Sequence, residues 1–101
     1  MKLTQIKYGR NIIKIEFKKL VRYDGYFETK KNLLVIDKTI KGVKLFNTII
    51  HEIFHIIMHF EKINVQSKGE EPIAIAVGNG YTKIFKQNPK LFKQLTKIMR
   101  G

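Results

Sequence analysis

Three residues near the middle of the chain have the types and the spacing needed to bind a metal ion and use it. His51 and His55 are four residues apart, and Glu52 directly follows the first histidine. On an α-helix, residues i and i+4 lie one above the other, so both imidazoles could bind one Zn²⁺ ion. Glu52 would project beside that ion, where its carboxylate could take a proton from an attacking water. The spacing therefore predicts a zinc site with Glu52 as the general base.

The two histidines fall within a stretch that should be a helix. No glycine or proline occurs from Val43 to Phe60, and apolar residues recur there at spacings of three and four, as on one buried helical face. Other faces are apolar too, which predicts a helix at the centre of the core. The alternative is a core helix whose histidines are simply hydrogen-bonded. A buried His-Glu-x-x-His without metal would leave several polar groups in need of partners, which disfavours this alternative.

A catalytic zinc ion has three protein ligands, so a third ligand must come from elsewhere. His59 continues the histidine series, but eight helical residues rise about 12 Å, too far for His51 and His59 to share one ion. The chain has no cysteine, which leaves carboxylates. Glu70 and Glu71 precede Pro72, a residue suited to the first position of a second helix. Acidic residues at a helix N-terminus also suit the helix dipole, so position alone does not choose between them.

This combination of motifs resembles the gluzincins, and especially their smallest soluble members, the minigluzincins. In gluzincins a second helix, the glutamate helix, supplies the third ligand from a segment of the form Glu-x-x-small-Asp. Glu71 and Ala74 fit that form better than a reading from Glu70. The resemblance thus implies three zinc ligands: His51, His55 and Glu71. Ile75 replaces the usual aspartate, which holds a zinc histidine in orientation, so a backbone carbonyl or Asn79 would have to serve instead.

The resemblance implies a zinc metalloendopeptidase in which Glu52 is the catalytic base and a peptide or protein is the substrate. The strand expected near Asn32–Asp37 could bind that substrate as an added strand. Three residues are candidates for stabilising the oxyanion: Tyr26, His59 and Tyr81. Minigluzincins are zymogens held latent by C-terminal segments, which implies that this chain could also be latent.

The elements that must position these residues predict an α+β fold, with a small, mostly antiparallel sheet packed on about three helices. Strand patterns occur at 13–17 and 33–36, with turns at 24–25 and 30–32. The zinc helix follows, then the glutamate helix to about Gln87. A last helix is expected to start at Asn88-Pro89, a capping residue and a first-position proline. Residues 1–101 should form one domain, in which 88–101 is an amphipathic helix that completes the core, covers the active site, or swaps between two copies in a homodimer.

The chain of 101 residues carries 20 Lys and Arg against eight Asp and Glu, a formal net charge of +12. Such a charge attracts nucleic acid, anionic membranes or acidic peptides. The rival hypothesis is therefore a basic nucleic-acid-binding or other binding module with a non-catalytic zinc site. The basic residues are spread along every element and form no nucleic-acid-binding motif, so we expect no specific nucleic-acid binding. No signal-peptide stretch and no long apolar run occur, which predicts a cytoplasmic protein without membrane insertion.

Overall fold

Four short strands come first in the chain and are followed by helices. The structure is a computed structural model that describes residues 3–64 and 69–101. Its strands are β1 (Gln5–Tyr8), β2 (Asn11–Lys18), β3 (Gly25–Glu28) and β4 (Leu33–Asp37). The helices of the described chain are α1 (Gly42–Phe60), α2 (Glu70–Gln87) and α3 (Leu91–Arg100).

The strands form one mixed sheet in the order β1-β2-β4-β3. β1 pairs with β2 and β3 with β4 in antiparallel fashion, whereas β2 and β4 are parallel. β4 is the most buried strand, and its residues Leu34, Val35 and Ile36 are all fully buried. Such burial is expected for a strand that lies between two others in the sheet. These pairings, with the three helices, confirm the predicted α+β fold.

The position of β4 corrects one expectation about substrate binding. The segment Asn32–Asp37 was expected to accept a peptide as an added strand, but β4 already pairs with β2 on one side and β3 on the other. Its backbone groups are therefore occupied, and that expectation is wrong. β3 is the edge strand on this side of the sheet, so β3 has the free backbone groups that an added strand requires.

Helix α1 lies at the centre of the core, as its apolar residues predict. Ile49, Ile53, Ile56 and Ile57 are fully buried, and both the sheet and the other helices pack around them. α2 approaches α1 closely at Gly80, where an added Cβ would lie only 2.5 Å from Cγ2 of Ile57. A glycine is required there because any larger residue would displace the buried isoleucine.

Two predicted helix starts need correction. α2 begins at Glu70, so Pro72 is its third residue rather than its first. Asn88 does not cap the last helix, because α3 begins at Leu91 and its preceding residue makes no side-chain cap. The Asn88 side chain instead accepts a hydrogen bond from the Lys7 amide at 2.9 Å and donates one to the Lys7 carbonyl at 2.8 Å. Asn88 therefore ties the end of α2 to strand β1.

α3 packs against α1 within the same chain. Its residues Leu91 and Leu95 are buried with exposures of 2% and 1%, and both belong to the single main core. This placement supports the predicted core role of the last helix. Among the described residues, no helix has both the length and the apolar character that would be needed to cross a membrane.

Candidate metal centre

The two histidines of the motif face each other on α1. Their Nε2 atoms are 3.1 Å apart, and both side chains are exposed at the surface. Two nitrogens bound to one tetrahedral zinc at 2.0–2.1 Å would be about 3.3 Å apart. The observed separation is thus close to that of two ligands of one ion. Two facing nitrogens need either a shared proton or a cation between them, so this arrangement suits metal binding.

Glu52 lies beside the histidines but is almost fully buried, with an exposure of 5%. Its Oε2 atom is 4.0 Å from Nε2 of His51. Burial raises the pKa of Glu52, while the neighbouring His55 and His51 partly oppose that rise. The possible ligand atoms of His51, Glu52 and His55 all lie within 4.8 Å of one another. This group could hold a metal ion, and its buried carboxylate is a suitable proton acceptor.

The predicted third ligand is not part of this group. Glu71 and the alternative, Glu70, are exposed in the first turn of α2. α2 meets α1 at Gly80 and Tyr81, and Glu71 lies nine residues earlier, about 14 Å along the helix. Asn79 is exposed on the same helix and makes no hydrogen bond to the motif histidines in the described chain. The role of Glu71 as a zinc ligand therefore stays a prediction.

A cleft of about 690 Å³ opens beside His51 and Glu52. Its walls are the first half of α1 and the segment that leads into the edge strand β3, including Arg22 and Asp24. Asp24 forms an exposed ion pair with Lys44 of α1 at 3.6 Å, which spans the two walls and contributes little to their stability. Sequence reasoning missed Arg22 as a site residue, because a single arginine in a loop gives no signal of what it will face.

Gly25 allows the edge strand to approach α1 at this cleft. A Cβ at Gly25 would lie 3.0 Å from the Val35 carbonyl oxygen and 3.1 Å from Cγ2 of Thr48. Such contacts are tighter than a side chain normally tolerates, and one of them is with backbone that cannot easily move. The glycine therefore keeps the start of β3 close to the motif helix.

The three oxyanion candidates lie outside the described lining of this cleft. The Tyr81 hydroxyl donates a hydrogen bond to the Ile50 carbonyl at 2.8 Å, and burial raises its pKa. That bond joins α2 to α1 immediately before His51. His59 is exposed and packs edge-on against Phe27 of β3, and Tyr26 is half-buried in the same strand. The geometry thus favours a structural role for Tyr81 and leaves the oxyanion partner a prediction.

Comparison with known proteins returns no similar protein: no family model, no curated protein and no solved structure matches this chain. The resemblance to gluzincins, drawn from the sequence motif, therefore stays a prediction.

Proposed function

We propose that this protein is a zinc-dependent peptidase whose site is built on α1. The observation that carries the proposal is the pair of Nε2 atoms of His51 and His55, 3.1 Å apart at the surface, next to the buried carboxylate of Glu52. A Zn²⁺ ion bound there would supply a Lewis acid that polarises a peptide carbonyl and lowers the pKa of water. His51 and His55 would hold it, with Glu71 proposed as the third ligand.

Residues of the chain would carry out the proton transfer and the binding of the substrate. Glu52 would accept a proton from the attacking water and pass it to the leaving amine, which suits a carboxylate whose pKa is raised by burial. The free edge of β3 lies next to the cleft, since Gly25 contributes to both. A peptide paired with β3 as an extra strand would run past His51 and Glu52. Arg22, in the segment that leads into β3, would then lie near the substrate on the same side of the cleft as that strand.

The ligand assignment is tested by measuring bound zinc in purified variants after dialysis. His51→Ala and His55→Ala should each weaken zinc binding by more than about 100-fold, because removing a direct ligand costs more than removing a residue that orients one. Glu71→Ala should do the same, whereas the matched control Glu70→Ala should retain zinc. The opposite result for the two glutamates would make Glu70 the ligand. Full occupancy in both variants would contradict the gluzincin assignment.

The catalytic assignment needs a separate experiment with a mixed fluorogenic peptide library. Glu52→Ala should retain zinc and lose hydrolysis, because it removes the base and leaves both histidines in place. Equal hydrolysis by wild type and Glu52→Ala would contradict the role of Glu52. A zinc-loaded, folded wild type that cleaves nothing in the library would favour the non-catalytic binding module instead.

A further inference from the structure

A second concave surface lies far along the chain from the histidine motif. It is a groove of about 780 Å³ beside α3, and we call it the basic groove. Four of its lining residues are cations: Lys90, Lys93, Lys97 and Arg100. Leu3 and Ile98 also line it, and no acidic residue does so within the described chain.

The four cations form one stripe because of their helical spacing. Lys93, Lys97 and Arg100 lie on α3, and Lys90 directly precedes it with right-handed helical backbone angles. The four are separated by three, four and three residues, and at 100° per residue they fall within an arc of about 80°. All four are exposed, and none of them forms an ion pair with any residue in the ranges 3–64 and 69–101. Leu91 and Leu95 fix the rotation of the helix by occupying the core. The stripe is therefore held facing solvent as four uncompensated positive charges.

The shape and lining of the basic groove disfavour a membrane surface as its partner. Leu3 is only 7% exposed and Ile98 packs against the core, so neither can insert into lipid. The exposed apolar residues of α3, Phe92 and Met99, lie on another side of the helix, and Phe92 packs edge-on against Phe85. A concave groove also matches a rod better than a flat bilayer. An elongated polyanion is thus the partner whose shape and charge fit.

We propose that the basic groove binds the sugar–phosphate backbone of double-stranded nucleic acid without sequence selectivity. The stripe runs from Lys90 to Arg100, which is ten residue steps or about 15 Å of helix axis. One strand of a duplex presents a phosphate about every 3.4 Å of axis, hence about four phosphates over that length. No aromatic residue among those the structure describes lines the groove, so its described lining offers no platform for unpaired bases. Duplex should therefore bind better than single strands, and the proposal does not depend on the metal centre.

The test is fluorescence anisotropy of a labelled 20-base-pair DNA of arbitrary sequence, titrated with the full chain between 50 and 200 mM salt. Four phosphate contacts predict a slope of log affinity against log salt near −3.6, from about −0.9 for each contact. Lys93→Ala/Lys97→Ala should bring the slope to about −1.8 and lower affinity at 50 mM salt at least tenfold. Lys14→Ala/Lys18→Ala changes the net charge equally on exposed positions of β2 and should alter affinity less than twofold. Unfolding temperatures equal to that of the wild type would confirm that both double variants are folded.

Several results would overturn the proposal. An equal loss of affinity in both double variants would show that binding reflects net charge and not the basic groove. Tighter binding to single strands, or no duplex binding at 50 mM salt, would exclude a duplex backbone as the ligand. Phosphatidylserine vesicles that bind more tightly than duplex at equal phosphate concentration, with loss in Lys93→Ala/Lys97→Ala, would assign the groove to membranes.

Discussion

Glu52 is a carboxylate that the fold buries at a cost. Its surroundings raise its pKa above the ordinary value of 4.5, because burial penalises the charged form more than the nearby histidines favour it. A group with a raised folded-state pKa contributes stability below its unfolded pKa and loses that contribution as pH rises through the folded value. At neutral pH the metal-free protein therefore retains a destabilising charge, which suits a base that must be ready to accept a proton.

Glu52→Gln should consequently stabilise the metal-free protein at pH 7. We expect a gain on the order of 1 kcal/mol in the free energy of unfolding, or roughly 4–8 °C in Tm for a domain of this size. The gain should disappear near pH 4, where the glutamate is itself protonated. Thermal unfolding in the presence of a chelator measures both. Glu16→Gln, at an exposed position of β2, is the control and should change little; a lower Tm for Glu52→Gln at pH 7 would contradict the argument.

The motif residues could be predicted because their chemistry depends on local spacing. His51, Glu52 and His55 lie within five residues, and one helix is enough to bring them together. Arg22 and Asp24 could not be assigned to the cleft, because only the tertiary structure places them beside α1. The assignment of Glu71 as a ligand depends in the same way on how α2 crosses α1. A metal ligand on a second helix is therefore harder to predict than two histidines on the same helix.

At the scale of elements, the long helices were predictable and the shortest strands were not. α1 and α2 end where their patterns indicate, whereas β1 and β3 have only four residues each and too few alternations to give a signal. The predicted start of α3 was wrong because asparagine and proline often begin a helix, whereas Asn88 and Pro89 here precede α3. The Asn88 side chain hydrogen-bonds the Ile84 carbonyl at the end of α2 and the backbone of Lys7, 81 residues away, and no local pattern can indicate the second contact.

The contact between α1 and α2 predicts that replacing two glycines of α2 with alanine changes the free energy of unfolding in opposite directions. Gly80→Ala places a Cβ 2.5 Å from Cγ2 of the buried Ile57, so we expect a loss of about 1–3 kcal/mol from overpacking. Gly78→Ala has no neighbour within 4 Å and should gain roughly 0.5–1 kcal/mol from helix propensity. Urea unfolding of both variants measures the difference. Similar stabilities for the two would mean that α2 packs less closely on α1 than described.

At the scale of the whole molecule, the excess of positive charge is not evenly distributed. The sequence suggested basic residues spread over every element, and many of them are. Helical spacing nevertheless aligns Lys90, Lys93, Lys97 and Arg100 along one groove, while Lys44 is paired with Asp24 at the cleft. The proposed nucleic-acid contact and the proposed peptidase site therefore concern different surfaces, so binding at the basic groove would not exclude peptidase activity at the metal centre.

The last helix, α3, contributes core residues on which the folding of this small domain depends. Leu91 and Leu95 fill the core against α1, and in the described chain no residue of α3 lines the cleft beside His51. A chain ending at Pro89 would leave apolar residues of α1 exposed, at a cost of about 2–5 kcal/mol for each large core side chain removed. Because small domains have total stabilities of about 5–15 kcal/mol, we expect this truncation to be largely unfolded by circular dichroism.

A matched control ends at Ile98 and removes only Met99, Arg100 and Gly101, which are exposed. It should fold, since Leu91, Leu95 and Ile98 remain. The hypothesis of a latent enzyme makes the opposite prediction for the chain ending at Pro89, namely a folded protein that gains peptidase activity. A swapped homodimer predicts that the same truncation converts a dimer to a folded monomer, which light scattering would detect. Burial of both leucines in the core of their own chain favours the unfolded outcome, because the truncation removes both from that core.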